Sequence, residues 1–173
     1  MELLIKCRKF EVVRKAVPMS GGVDRDYTIV VHPGAVVILP LLAGGEQIVL
    51  IRNYRHALDR ELWELPAGTL DVPGETASAA AARELEEEAG YRAGDIRPLC
   101  EFYSTPGMCT ELLHAFVATD LTPTRQQLDP TERIRVEIKQ RDEALAMVRD
   151  GTIVDAKTMV TLLFWEMTQR KPA

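Results

Sequence analysis

The chain has 173 residues, of which 46% are hydrophobic and 27% charged, and its net charge is −5. That balance suits one globular domain with a packed core and room for an appended arm. It excludes a dense basic surface for nucleic acid, and a negative protein that handles an anionic substrate needs a bridge of divalent cations or placed arginines.

Three cysteines, Cys7, Cys100 and Cys109, are irregularly spaced and form no CxxC pair. Reduced thiols and a cytoplasmic protein are the expectation. The start "MELLIKCRKF" carries charges through its apolar stretch, unlike a signal peptide. The longest apolar segment, "VVHPGAVVILPLLAGG", is broken by His32, Pro33 and Pro40, so no bilayer span is expected.

Taken in chain order, residues 1–31 read as short strands, "LLIKCRKFEVVRKAV" and "YTIVV", around a turn at "SGGVDRD". "GAVVILPLL" and "QIVLIRNYR" are β-rich runs joined by "AGGE", a hairpin pattern. "ELWELPAGTLDVPGE" reads as a strand that breaks into a loop punctuated by glycine and proline. "TASAAAARELEEEAG" is alanine-rich, lacks internal Gly and Pro, and predicts a helix capped by Gly90. "IRPLCEFYST" and "LLHAFVATDL" predict strands flanking the loop "PGMCTE". A polar loop, "TPTRQQLDPTER", then leads to a strand, "IRVEIK". Two helices follow, "RDEALAMVRDG" and "DAKTMVTLLFWEMTQR", the second with Asp155 as N-cap. Strands, helix, strands and two helices make an α+β chain rather than an alternating βαβ one.

The helix around "RELEEEAG" concentrates negative charge. Glu84 and Glu88 are four residues apart and share one face, about 5.4 Å apart along the axis, and Glu87 flanks them. Like charges at such spacing repel by roughly 0.2–0.5 kcal/mol per pair. An acidic run of this kind is ordinarily solvated surface. Hard divalent cations such as Mg²⁺ prefer oxygen ligands and would turn the repulsion into attraction. Ala81, Leu85 and Ala89 lie on another face and would pack on the core, and Glu86 would face solvent.

The order Gly68, Glu75, Arg83-Glu84-Leu85, Glu87-Glu88, Gly90-Tyr91 resembles the Nudix box, with its REUxEExGU core. One spacing departs from the pattern. Six residues, "TLDVPG", separate Gly68 from Glu75 where the family has five, and the extra one is expected to bulge near Val72-Pro73. The resemblance implies an α/β/α sandwich with a mixed sheet over residues 33–173, preceded by a β-arm over 1–32. It implies hydrolysis of a nucleoside diphosphate joined to another moiety, with Mg²⁺ or Mn²⁺. Glu84 and Glu88 would be the main metal ligands, Glu87 a further one, and the Ala67 carbonyl would complete the shell. Arg83 and Glu75 would pair to hold the loop against the helix.

"ELPAGTLD", "FYSTPGMCTE" and "IRNYRHA" resemble the ADP-ribose pyrophosphatase branch, and Pro106 stands sixteen residues past Gly90, near the branch's proline. The resemblance implies ADP-ribose cleaved to AMP and ribose 5-phosphate, in a homodimer that exchanges its N-terminal arms. GDP-sugar hydrolysis and a non-catalytic metabolite sensor are the alternatives. Arg55 meets a phosphate or ribose, or packs along a strand edge. Trp63 and Tyr54 stack on a base, or belong to the core. Glu111 reaches the terminal ribose or metal, while Pro106 shapes its loop. Glu132, in "QQLDPTER", is the candidate to orient or deprotonate the attacking water, with Asp129 as fallback. His32, His56 and His114 show no ligand spacing, and no P-loop, GxSxG or GxGxxG is present.

Overall fold

The structure is a computed structural model that describes residues 1–169. The first three strands, β1 (Glu2–Lys6), β2 (Glu11–Pro18) and β3 (Asp24–Val31), form an antiparallel sheet of their own in the order β1-β2-β3. The first predicted run is split by a turn in which the Cys7 N–H donates to the Phe10 carbonyl at 2.9 Å. This arm meets the body where the Val30 N–H donates to the Met108 carbonyl and the Thr110 N–H to the Val30 carbonyl, at 2.8 and 3.0 Å.

The second sheet holds β4 (Ala35–Leu42), β5 (Gln47–Arg55), β8 (Tyr91–Tyr103), β9 (Leu112–Pro123) and β10 (Ile134–Gln140) in the order β10-β5-β4-β9-β8. Two short strands, β6 (Arg60–Glu64) and β7 (Ala67–Thr69), pair with β5 and β4. β4 and β9 run parallel and the other pairings are antiparallel, so the sheet is mixed. β4 is apolar throughout because both of its faces are covered. Val36 and Ile38 pack with Ala81, Leu85 and Ala89 of α1 (Ala77–Ala89) on one face. Val37 and Leu39 pack with Met147 of α2 (Arg141–Arg149) and Leu162 and Trp165 of α3 (Ala156–Gln169) on the other. This is the expected α/β/α sandwich.

β8 and β9 are longer than the sequence pattern suggested, which trims the polar loop to 124–133, and β7 was not anticipated. The predicted caps hold: Gly90 closes α1 at φ +68°, and Asp155 Oδ2 accepts the Thr158 N–H at 3.0 Å. The N-cap of α1, not predicted, is Thr76, whose side chain accepts from the Ala79 N–H. Arg170, included in the predicted last helix, lies outside the described residues. Among the described residues no helix is long and apolar enough to cross a membrane.

Candidate active site

β7 lies directly beside α1. A Cβ on Gly68 would overlap the carboxylate of Glu84, so only glycine lets strand and helix approach this closely. One turn along, Glu88 is 5% exposed and its Oε2 accepts the Ala67 N–H at 2.8 Å. Burial pushes the Glu88 carboxyl up to about 8. The charges of Glu84 and Glu132 add to that rise, while the Ala67 N–H and Arg55 oppose it. Glu84 is also pushed up, first by burial, although Arg83 counters it.

Arg83 ties the acidic helix to the loop before it. Its Nε and Nη2 donate to the two oxygens of Glu75, each at 3.0 Å, and hold Glu75 below the usual carboxylate range. Its Nη1 donates to Glu84 at 2.7 Å and to Glu87 at 2.9 Å. The extra residue leaves this pairing intact. It is taken up in a turn where the Glu75 N–H reaches the Val72 carbonyl at 3.2 Å, with Pro73 and Gly74 (φ +79°) at the corner. Glu86 is not simply solvated: it pairs with Arg92 at 2.8 Å.

The loop 124–133 is laid across the end of α1. The Gln127 N–H donates to the Glu87 carbonyl at 2.9 Å, and the Gln126 side chain to the Glu88 carbonyl at 2.6 Å. The Tyr54 N–H fixes the far end on the Arg133 carbonyl at 3.1 Å. Glu132 is thereby brought close enough for its charge to raise both Glu84 and Glu88. Asp129 is exposed and serves the loop itself, its N–H donating to Glu132 Oε2 at 2.9 Å.

Arg55 also reaches this side. It donates from Nε to Glu64 at 2.7 Å and from Nη2 to the other Glu64 oxygen, and the charge of Glu88 acts on it. Trp63 is not brought in. It pairs with Arg52 across β5–β6 and packs on the α2–α3 face, with the Arg52 and Lys139 cations 4.7 and 5.3 Å from its ring centroid. Tyr54 likewise donates to Asp59 at 2.6 Å and lies under Arg133. Glu111 turns to the arm, 3.6 Å from His32 Nδ1, and Pro106 sits exposed on the loop after β8. Sequence reasoning missed Glu64 and Lys157, and named Asp155 only as a helix cap. Lys157 Nζ donates to Glu64 at 2.7 Å and to Asp155 at 2.9 Å. The available signal was a glutamate inside an otherwise apolar "LWELP" run.

The NUDIX domain family matches residues 31–160. The chain belongs to the Nudix family. As a Nudix hydrolase it is 34% identical to an ADP-ribose pyrophosphatase of Bacillus subtilis (strain 168) over 155 residues, 88% of this chain and 83% of that protein. It is 33% identical to a GDP-mannose pyrophosphatase of Escherichia coli O1:K1 / APEC over 144 residues, 78% of this chain and 74% of that protein. A solved ADP compounds hydrolase superposes with a TM-score of 0.83 at 27% identity, covering 97% of this chain and 92% of that one.

Nudix hydrolases work with divalent metal ions, and the donor set here fits one. Glu84 and Glu88 are hard oxygen donors, and burial makes their charged forms costly without a bound cation. Among the described residues no three acidic, histidine or cysteine side chains are grouped as a cage. Arg83 accounts for this by drawing Glu84 and Glu87 onto one nitrogen.

Proposed function

We propose that this Nudix hydrolase cleaves ADP-ribose, with Mg²⁺ or Mn²⁺, to AMP and ribose 5-phosphate. The observation that carries the reading is Glu88: a buried carboxyl with one neutral hydrogen-bond donor, on which the charges of Glu84 and Glu132 act. The Glu84, Glu87 and Glu88 carboxylates and the Ala67 carbonyl would hold the cation. Bound there, it would neutralise the diphosphate, lower the pKa of a water and align attack.

The chain's own residues do the rest. Arg83 releases Glu84 and Glu87 from its Nη1 while keeping Glu75 on its fork, so the loop stays in place. Arg55 offers a guanidinium to a phosphate oxygen. Glu132 accepts the proton of the attacking water as its oxygen joins one phosphorus and the bridging P–O bond breaks. Glu111 and Pro106, on the loop after β8, would contact the ribose end of the substrate, and Trp63 supports the sheet from the other face. A homodimer formed through the arm (residues 1–32), with residues 33–173 as the hydrolase domain, belongs to this reading. The exposed Leu3, Ile5 and Val23 support it. A cytoplasmic setting accords with the three free cysteines.

The GDP-mannose pyrophosphatase relative supports a second reading, a GDP-sugar substrate. The test is a panel of ADP-ribose, GDP-mannose and other nucleoside diphosphate derivatives with Mg²⁺, read as phosphate after a coupled phosphatase. ADP-ribose should give the highest kcat/KM. Preference for GDP-mannose would overturn the substrate, and no turnover on any member would favour a sensor.

A further inference from the structure

Glu64 is fully buried and held by two cations, Arg55 and Lys157. Lys157 lies 93 residues away in sequence, on the first turn of α3. The contacts then close a ring. Lys157 Nζ donates to Asp155 Oδ1, and the Thr158 hydroxyl donates to Asp155 Oδ2 at 2.6 Å. The Leu65 N–H donates to that hydroxyl at 2.8 Å, which returns to the residue beside Glu64. Two carboxylates and two cations cancel, so the ring is neutral as a whole.

Stability is a weak reason for such a ring. Desolvating ions offsets most of their attraction, and apolar side chains of similar volume often serve as well. Geometry is the better reason. Glu64 shares a sheet face with Ile51 and Val49, the face that α1 covers. Arg55 spends Nε and Nη2 on Glu64, which leaves Nη1 without a hydrogen-bond partner among the described residues. Its side chain is 41% exposed, and the charge of Glu88 acts on it. Lys157 donates to Glu64 Oε2, the oxygen that Arg55 Nη2 also grips, so the ammonium pins the carboxylate, and with it the guanidinium, from the α3 side. The ring also anchors Leu65, two residues before the Ala67 N–H that holds Glu88.

We propose that Lys157, acting through Glu64, is a positioning residue for the hydrolysis: it fixes the carboxylate that aims Arg55 at the substrate diphosphate. The proposal rests on the diphosphate reading of the site. Lys157 itself touches no substrate.

A double-mutant cycle of Lys157→Met and Arg55→Lys, the second keeping a cation for Glu64 without the guanidinium fork, tests it with two readouts. One is KM and kcat on ADP-ribose with Mg²⁺. The other is ADP affinity by calorimetry in metal-free buffer, which needs no turnover. Lys157→Met should fold, because Arg55 still neutralises Glu64, and should weaken KM and ADP affinity about tenfold, the scale of one charged hydrogen bond. Lys157→Arg should recover most of that loss. In the Arg55→Lys background, Lys157→Met should add less than about twofold. Wild-type KM and ADP affinity in Lys157→Met, or equal losses in both backgrounds, would overturn the proposal. Should Lys157→Met not fold, Lys157→Gln carries the same cycle. A wild type that binds ADP through Arg55 but leaves ADP-ribose uncut sinks the substrate reading alone. A wild type that cleaves it while the two losses stay independent sinks the positioning role alone.

Discussion

The Ala67 N–H and the Glu88 carboxylate form a 2.8 Å hydrogen bond that joins β7 to the buried face of α1. A backbone amide orients a carboxylate but leaves its charge in place. The outcome is an acid pushed up to about 8, first by burial and then by its acidic neighbours Glu84 and Glu132. Above that pH the metal-free site therefore holds a buried, uncompensated charge at the point where a cation would neutralise it.

Glu88→Gln should make the metal-free protein more stable while it removes activity. The folded state keeps a proton on Glu88 up to about 8, whereas the unfolded chain gives it up near the ordinary 4.5. Folding thus takes up a proton in that window, and the wild type loses stability as pH rises through it. Glutamine keeps an oxygen for the Ala67 N–H and carries no charge. Thermal unfolding in chelator should show the variant several degrees above wild type at pH 8 and close to it at pH 5. Its turnover with metal should fall roughly 100-fold or more. A variant less stable than wild type at pH 8 would refute the uncompensated charge.

Divalent cations should stabilise the wild type, and more so at pH 8 than at pH 6. At the lower pH a proton on Glu88 competes with the cation. Each tenfold rise in free cation above its dissociation constant adds about 1.4 kcal/mol. Glu88→Gln should lose most of this gain. Unfolding temperatures that ignore millimolar Mg²⁺ and Mn²⁺ alike would count against the ligand set.

Much of this site was legible because its contacts are short in sequence. Glu75, Arg83, Glu84 and Glu87 lie within thirteen positions on one loop and helix, so helical spacing joins Arg83, Glu84 and Glu87 and a short loop brings in Glu75. The Gly68–Glu84 approach follows from the same box. The pairing of Glu64 with Lys157 was not legible for the opposite reason, since it depends on where α3 docks, 93 residues on. Trp63 was placed among substrate residues because a strand's alternation shows that two faces exist but not which one α1 covers. Pairing with Arg52 turns it to the α2–α3 side.

Gly68→Ala should damage catalysis more than folding. Its Cβ would displace the Glu84 carboxylate, at an overpacking cost of about 1–3 kcal/mol. Metal affinity, measured by Mn²⁺ titration, should fall at least roughly tenfold. Gly74→Ala is the control: its φ of +79° makes the substitution strained, yet nothing lies within 4 Å of the added atom. It should cost some stability with a smaller effect on Mn²⁺ affinity. Equal affinities for the two variants would remove Glu84 from the ligand set.

The arm leaves Leu3, Ile5 and Val23 exposed at 53%, 56% and 73%. Light scattering should give a mass twice the 19.3 kDa of one chain. Leu3→Arg with Ile5→Arg should shift it toward one chain, because a charge in an apolar contact is left unpaired. A wild type that scatters as a single chain at all concentrations would rule out arm exchange.

Asp155→Ala should destabilise the protein at neutral pH and much less in acid. Burial pushes the Asp155 carboxyl up, but Lys157 and the Thr158 hydroxyl and N–H outweigh it and hold the group below its ordinary 3.8. A carboxyl with a depressed folded pKa contributes stability that is full above the unfolded value and fades as pH falls through the folded one. Losing the helix cap costs about 0.5–2 kcal/mol, and losing the anchor of the Lys157 ammonium adds to that. Urea unfolding at pH 7 should therefore show the larger deficit, with the gap narrowing at pH 3.5 and below. The same variant should weaken KM in the direction of Lys157→Met, since Lys157 loses the partner that steadies it against Glu64. A stability deficit independent of pH would leave Asp155 with its capping hydrogen bonds alone and no electrostatic part in the ring.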